Sequence, residues 1–455
     1  MNRYREILKE ETQGIQRLIS QLISPLSWSR EKILIEQEKA LIDLLAYAQK
    51  YSPYYKKKLA HIDLNQFKLE DLKNIEPLSK KELMRNWDEI VTDPELKLAD
   101  VSLFLRNQTE PSLFKNKYHL TATGGSSGLR GVFAWSIEEF VLFVSTFFRY
   151  QYRDEFSKLK DNDALLVAAI TAEKPVHLSR FVFTVPLIPQ MQFMLLPATM
   201  PIALMIDELN KRQPTHLIGY TTEIYRLAQE ALRGKLKIAP QRISVNSEPL
   251  FPDMLFAIQE AWHVPISNMW GSSDAGPHAE SCDHTNHLHL NEDLLIAEPV
   301  DEQNNPVAMG QEANKVLITN LFHKTMPLFR YEIDDRVTFL KEPCSCGSSF
   351  HLLESIKGRS DEGFLYSNSI YVATITFESV LFPESEIDEY QVFQMPDGAE
   401  LWLIVNSPLD TQKIQKELVN SFLQIGIQKP NIVIKIVSHL KRHSETGKLK
   451  RFVKI

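Results

Sequence analysis

The chain has 455 residues, 44% hydrophobic and 24% charged, with 51 basic and 58 acidic side chains for a net charge of −7. At about 150 residues per domain, that is enough for a full core and two or three domains, and the acidic balance disfavours a nucleic-acid binder. Three cysteines exclude a disulfide scaffold and fit a reducing, cytoplasmic setting.

Residues 1–110 read as helical. Ile15, Leu18, Ile19 and Leu22 share one face, and Ala40, Leu41, Leu44, Leu45 and Ala48 repeat the pattern. Ser79-Lys80-Lys81-Glu82 has the form of a capping box. From about residue 118 strands alternate with helices. Tyr118–Leu120, Ala164–Ile170, His216–Gly219, Ile243–Asn246 and Ile266–Met269 read as strands. Glu138–Tyr150, Thr222–Leu232 and Pro252–Trp262 read as helices. The alternation predicts an α/β fold with a largely parallel sheet and ligand sites at the carboxyl ends of its strands.

Residues 181–206 carry no charge and are long enough to span a bilayer. Pro186, Pro189, Pro197 and Pro201 break any helix there, so buried strands and turns are expected and no membrane span. The opening MNRYREILKEET lacks the apolar run of a signal peptide. Beyond Gly358-Arg359-Ser360-Asp361 the pattern restarts. Strands Leu401–Val405 and Ile432–Val437 flank a helix marked by Ile414, Leu418, Phe422 and Ile425. This predicts a small α+β domain over 362–455 after a large domain over 1–358, with a hinge at 359–361.

Four glycines and four hydroxyls crowd into Thr121–Gly131, just after a strand. Glycines let backbone N–H groups approach and cradle phosphate oxygens; the Gly-Lys-Ser/Thr of a Walker loop is absent. Thr123-Gly124-Gly125-Ser126-Ser127-Gly128 resembles the phosphate loop of the adenylate-forming superfamily, Ser/Thr-x-Gly-Ser/Thr-Ser/Thr-Gly-Lys. The final lysine is missing: Leu129 stands there, and Arg130 follows one residue late.

The resemblance runs in order along nearly the whole chain and is nearest the phenylacetate–CoA ligase group. Tyr51-Ser52-Pro53-Tyr54-Tyr55 and Glu76-Pro77-Leu78-Ser79-Lys80 look like that group's N-terminal signature. Ser247-Glu248-Pro249-Leu250 looks like the adenine-side turn, and Trp270-Gly271-Ser272-Ser273-Asp274 like the aromatic-Gly-x-Ser/Thr-Glu segment. The resemblance implies that Trp270 stacks on adenine. Asp274 stands where a magnesium-binding Glu is usual; it is a hard oxygen ligand on a shorter stem. Asp335, in Arg330-Tyr331-Glu332-Ile333-Asp334-Asp335, would accept from the ribose hydroxyls. Arg359 would contact nucleotide, and Asp361 would absorb the domain rotation. Lys448, in Ser444-Glu445-Thr446-Gly447-Lys448, resembles the C-terminal catalytic lysine. Its ammonium would offset the repulsion between a carboxylate and the ATP α-phosphate.

Cys344-Ser345-Cys346 and Cys282, with His284 two residues on, form a candidate zinc site, His287 being the alternative fourth ligand. Three thiolates and an imidazole make a tetrahedral structural site.

The resemblance implies ATP- and Mg²⁺-dependent activation of a small carboxylic acid, then transfer to coenzyme A. The apolar and aromatic residues near Thr171, Tyr220–Thr222, Asn246 and Trp270 suggest an aryl or hydrophobic acid. A carrier protein or an amine as acceptor, a non-catalytic nucleotide-binding homologue, and a homodimer built on the N-terminal helices stay open as alternatives.

Overall fold

A computed structural model describes residues 2–123, 131–160, 164–354, 356, 363–366, 370–372, 374–381, 384, 386–444 and 447–454. The phosphate-loop positions Gly124, Gly125, Ser126, Ser127, Gly128 and Arg130 lie outside the described residues. So do Gly358, Arg359, Ser360 and Asp361.

The first 110 residues are helical, led by α1 (Asn2–Leu18) and α2 (Arg30–Tyr51). The short α3 (Lys80–Arg85) starts at Ser79, whose hydroxyl accepts from Glu82 N. The expected box closes only halfway. The Glu82 carboxylate instead accepts from the Tyr54 hydroxyl and lies 3.3 Å from Lys58 Nζ. A tertiary charge outcompetes the local backbone donor.

Strands β1 (Tyr118–Ala122) and β2 (Val132–Ser136), on either side of the phosphate-loop segment in the sequence, form an antiparallel pair and lead into α4 (Ile137–Phe147). Next come β3 (Leu165–Thr171), β4 (Met191–Pro197), α5 (Ile202–Arg212), β5 (His216–Tyr220), α6 (Thr221–Leu232), β6 (Arg242–Asn246), α7 (Pro252–Trp262) and β7 (Ile266–Ser272). The hairpin β8 (Gly276–Cys282) and β9 (Thr285–Leu290) follows. A three-stranded sheet of β10 (Leu295–Val300), β11 (Lys315–Asn320) and β12 (Tyr331–Ile333) comes after it, then β13 (Leu352–Leu353).

The main sheet has the order β13-β9-β8-β7-β6-β5-β3-β4. Strands β4, β3, β5, β6 and β7 are parallel, and β7, β8, β9 and β13 antiparallel. Alternate side chains bury opposite faces. Ala168, Ile170, Leu217, Ile243 and Val245 pack under α5, α6 and α7. Val167, Ala169, Ile218 and Met269 pack under α1 and α4. The uncharged stretch, expected as strands and turns, folds into the end of a short helix at Leu178–Val182, turns, β4 and the first turn of α5, and no described helix is long and apolar enough to cross a membrane.

The C-terminal unit has its own four-stranded sheet. It is made of β14 (Ile387–Met395), β15 (Gly398–Val405), β16 (Asn431–Ile436) and β17 (Phe452–Val453), backed by α8 (Thr411–Ile425). β15, α8 and β16 form the expected βαβ crossover. Its core, from Phe364 to Phe452, shares no residue with the other clusters.

Candidate functional site

Because β5, β6 and β7 are parallel, their carboxyl ends share one edge, and the candidate residues gather there. The turn after β6 places Ser247 in the left-handed region, at φ 67°. Glu248 caps α6: its Oε2 accepts from Thr222 N at 2.9 Å and from Thr222 Oγ1 at 2.8 Å. Its other oxygen, Oε1, accepts from Leu449 N at 3.1 Å, across to the C-terminal unit. Pro249 leads from this turn towards α7. Asn246, 4% exposed at the end of β6, keeps an Nδ2 without a hydrogen-bond partner among the described residues.

Lys448 reaches the same edge. Its Nζ donates to Ser247 O at 3.4 Å and lies 5.0 Å from the Tyr220 ring centroid. The preceding Gly447 has φ +72°, and a Cβ there would sit 2.9 Å from Ala198 O. Only glycine lets the loop seat so closely.

The β7–β8 turn carries a linked set of polar side chains. Trp270, 6% exposed, donates its indole N–H to Asp335 Oδ2 at 2.7 Å. Its ring packs edge-on against His278, 4.7 Å between centroids. The ring is almost covered, and its N–H is fixed on the Asp335 carboxylate. Gly271 is forced by crowding: a Cβ would lie 2.7 Å from the Phe147 ring. Ser272 Oγ accepts from Ala275 N and bonds His278 Nε2 at 3.0 Å. Burial lowers the His278 pKa to about 4, against the pull of Asp274, so the imidazole is neutral. Asp274 is buried, and its Oδ2 accepts from Tyr331 OH at 2.9 Å. Ser273 O lies 3.5 Å from Thr121 Oγ1, bringing β1 alongside this turn.

At the foot of the phosphate loop, Thr123 Oγ1 accepts from Gly131 N at 2.9 Å and from Lys80 Nζ at 3.0 Å. A Cβ on Gly131 would lie 2.7 Å from Lys80 Cε. The Phe133 ring is closer still, at 2.6 Å, so glycine at 131 relieves crowding from both side chains. The sequence shows Lys80 beside the helix cap but gives no sign that it reaches the loop.

The cysteine cluster forms, with a corrected fourth member. His289, not His284, joins Cys282, Cys344 and Cys346, all four ligand atoms lying within 4.8 Å of one another. His284 sits in the β8–β9 hairpin turn and is exposed, as is His287. His289 is fully buried and pairs with Leu352, which brings the Cys344–Gly347 turn beside it. Sulfur to sulfur, Cys282 and Cys344 are 3.7 Å apart. His289 Nε2 is 3.4 Å from Cys282 Sγ and 3.7 Å from Cys346 Sγ. A tetrahedron with Zn–S bonds of about 2.3 Å has S···S edges of about 3.8 Å, so the residues present fit zinc. Burial pushes the Cys282 thiol up to about 12 and the His289 imidazole down to about 4.

A large unit whose main sheet carries helices on both faces, with a small α+β unit that presents a lysine to its strand ends, is an architecture also found in solved CoA ligases. No protein-family profile matches the chain. It is 28% identical over 219 residues to protein CapK of Staphylococcus aureus, covering 47% of each chain. It is 24% identical over 247 residues to a phenylacetate–coenzyme A ligase of Thermus thermophilus, covering 48% of this chain and 55% of that one. The chain thus matches about half the length of these curated relatives. Among solved structures, a 2-hydroxyisobutyryl-CoA ligase in the postadenylation state superposes with a TM-score of 0.73 at 16% identity. That match covers 95% of this chain and 91% of the other. The same ligase in the thioesterification state gives 0.60 at 15% identity, over 94% and 91%.

Proposed function

We propose that the protein activates a carboxylic acid with ATP, forming an acyl-adenylate and pyrophosphate, and then passes the acyl group to the thiol of coenzyme A. The observation that carries this reading is Lys448 at the Ser247 carbonyl and Tyr220 ring, on the edge that also holds the Trp270–Asp335 and Tyr331–Asp274 pairs.

In the first half-reaction a carboxylate oxygen attacks the α-phosphorus and pyrophosphate leaves. Two anions must meet, and the Lys448 ammonium stabilises the charge that accumulates on the phosphoryl oxygens. Asp335, aimed by Trp270, accepts from the ribose hydroxyls. Thr123, Lys80 and the loop between Thr123 and Gly131 hold the phosphates, Lys80 supplying a cation near a loop whose own lysine is replaced by Leu129. Asn246 Nδ2 is a buried donor available to the acid. The neighbouring Tyr220 and Met269 favour an aryl or other hydrophobic acid.

Asp274 is the residue that would hold Mg²⁺, which offsets phosphate charge when bound. Zinc in the Cys282–His289–Cys344–Cys346 cluster would be structural, since four protein ligands leave no open position. Residues 359–361 serve as the hinge between the units, with 362–455 turning as a body.

The test is acid-dependent exchange of pyrophosphate into ATP over aryl, aliphatic and amino acids, followed by addition of coenzyme A. Exchange with one acid class and thioester formation are expected. Absence of exchange with every acid, in protein that binds ATP, would refute the activity.

A further inference from the structure

Beside the Leu449–Glu248 and Lys448–Ser247 bonds, a half-buried arginine ties the loop that carries Lys448 to the large unit. Arg442 sits at the start of the loop, its side chain 18% exposed. Its guanidinium donates to Gly447 O at 3.3 Å, the residue before Lys448. It also reaches across to the large unit, to Glu223 Oε1 at 2.8 Å and Thr222 Oγ1 at 3.3 Å. Within its own unit it donates to Glu389 Oε1 at 2.6 Å. Backbone bonds from Gly447 N to His443 O and from His443 N to Lys448 O, both 2.9 Å, make the loop a closed hairpin. Moving Arg442 therefore moves Lys448.

Arg226 completes a quartet. It lies 2.8 Å from Glu223 on the same helix and 3.6 Å from Glu389 across the interface. The charges are distributed evenly: Glu223 and Arg226 belong to α6, Glu389 and Arg442 to the C-terminal unit. When the units separate, each keeps a neutral pair. No buried charge is left alone, which would otherwise cost several kcal/mol per ion. The contact is strong when made and cheap to release, as a reversible clamp requires.

We propose that Arg442 is a positioning residue for the adenylation half-reaction: ion-paired with Glu223, it clamps the C-terminal unit so that Lys448 stands at the strand ends, and it has no part in thioester formation. The proposal rests on the adenylation reading above, and its test separates the two.

Arg442→Gln should lower kcat for acid-dependent pyrophosphate exchange on the order of a hundredfold, the scale set by misplacing a catalytic group by about 1 Å. The KM for ATP should change little. Thioester formation from supplied acyl-adenylate and coenzyme A should stay at the parent rate. Arg442→Lys should recover part of the loss. Glu223→Gln combined with Arg442→Gln should be no worse than Arg442→Gln alone, since both remove one contact. Exchange close to the parent rate in Arg442→Gln, or equal losses in both half-reactions, would overturn the proposal. A readout independent of activity is the distance between nitroxides on unnatural ketone side chains introduced at Glu260 and Asn420, read by pulsed dipolar spectroscopy. One narrow population is expected in the parent and a broadened one in Arg442→Gln. An unchanged distribution overturns the clamp even in protein that adenylates nothing, whereas a broadened one without exchange refutes only the adenylation reading.

Discussion

Replacing Trp270 with Phe removes one hydrogen bond and part of one ring. The indole N–H lies 2.7 Å from Asp335 Oδ2. A hydrogen bond to a charged acceptor contributes about 1.5–3 kcal/mol. Asp335 is only half-buried, so water makes up part of the loss, leaving about 1 kcal/mol, or roughly fivefold in affinity. Trp270→Phe should therefore raise the KM for ATP in pyrophosphate exchange about fivefold, with kcat nearly unchanged, because Asp335 is proposed to hold the ribose and not the reacting atoms. Trp270→Ala also empties a buried ring site and should lose about 3–5 kcal/mol of stability, seen as a lowered urea midpoint. The assay is exchange at varied ATP, beside urea denaturation of both variants. If Trp270→Phe is as stable as the parent and binds ATP equally well, the indole does not aim Asp335 and the argument fails.

Lys448→Ala should slow pyrophosphate exchange by 10²–10³-fold, the scale for losing one charge-stabilising group, while ATP binding measured by calorimetry persists; full exchange activity would remove Lys448 from the chemistry. Lys80→Ala should raise the KM for ATP with little change in kcat, and an unaltered KM would show that its bond to Thr123 is only structural. Purified protein should hold one zinc per chain by elemental analysis; His289→Ala should lower that content and His284→Ala should not, and the reverse order would restore the hairpin-turn histidine. Stability should fall as pH drops from about 6.5 to 4, because the unfolded state binds a proton that His278, depressed to about 4, refuses. Nothing is lost above the unfolded value, and the loss grows to about 3 kcal/mol by the lower end of that window. His278→Asn should flatten this slope in urea midpoints taken at pH 7.5 and 5, and parallel slopes would contradict it.

The relation between sequence and structure is clearest at particular residues. Alternation of apolar runs set the parallel strands and their crossover helices, since buried strands and amphipathic helices each leave a local period. Pro252–Trp262 is the helix the pattern predicts. The turn residues Ser247-Glu248-Pro249 and Trp270–Asp274 were legible because their order and spacing are local. The cysteines were legible as a set for the same reason. Their fourth partner was not: His284 is adjacent in sequence, but a hairpin turn throws it outward, and strand pairing with Leu352 delivers His289. The half-open cap at Ser79, Lys80 at the phosphate loop and the quartet around Arg442 were equally hidden. Each joins residues that are far apart in the chain, 220 positions between Thr222 and Arg442. The sequence alone determined which segments become strands, helices and turns, because those choices follow from nearest-neighbour chemistry. Only the tertiary structure decided which charges meet, because a long-range contact is fixed by sheet order and docking, to which local spacing is blind.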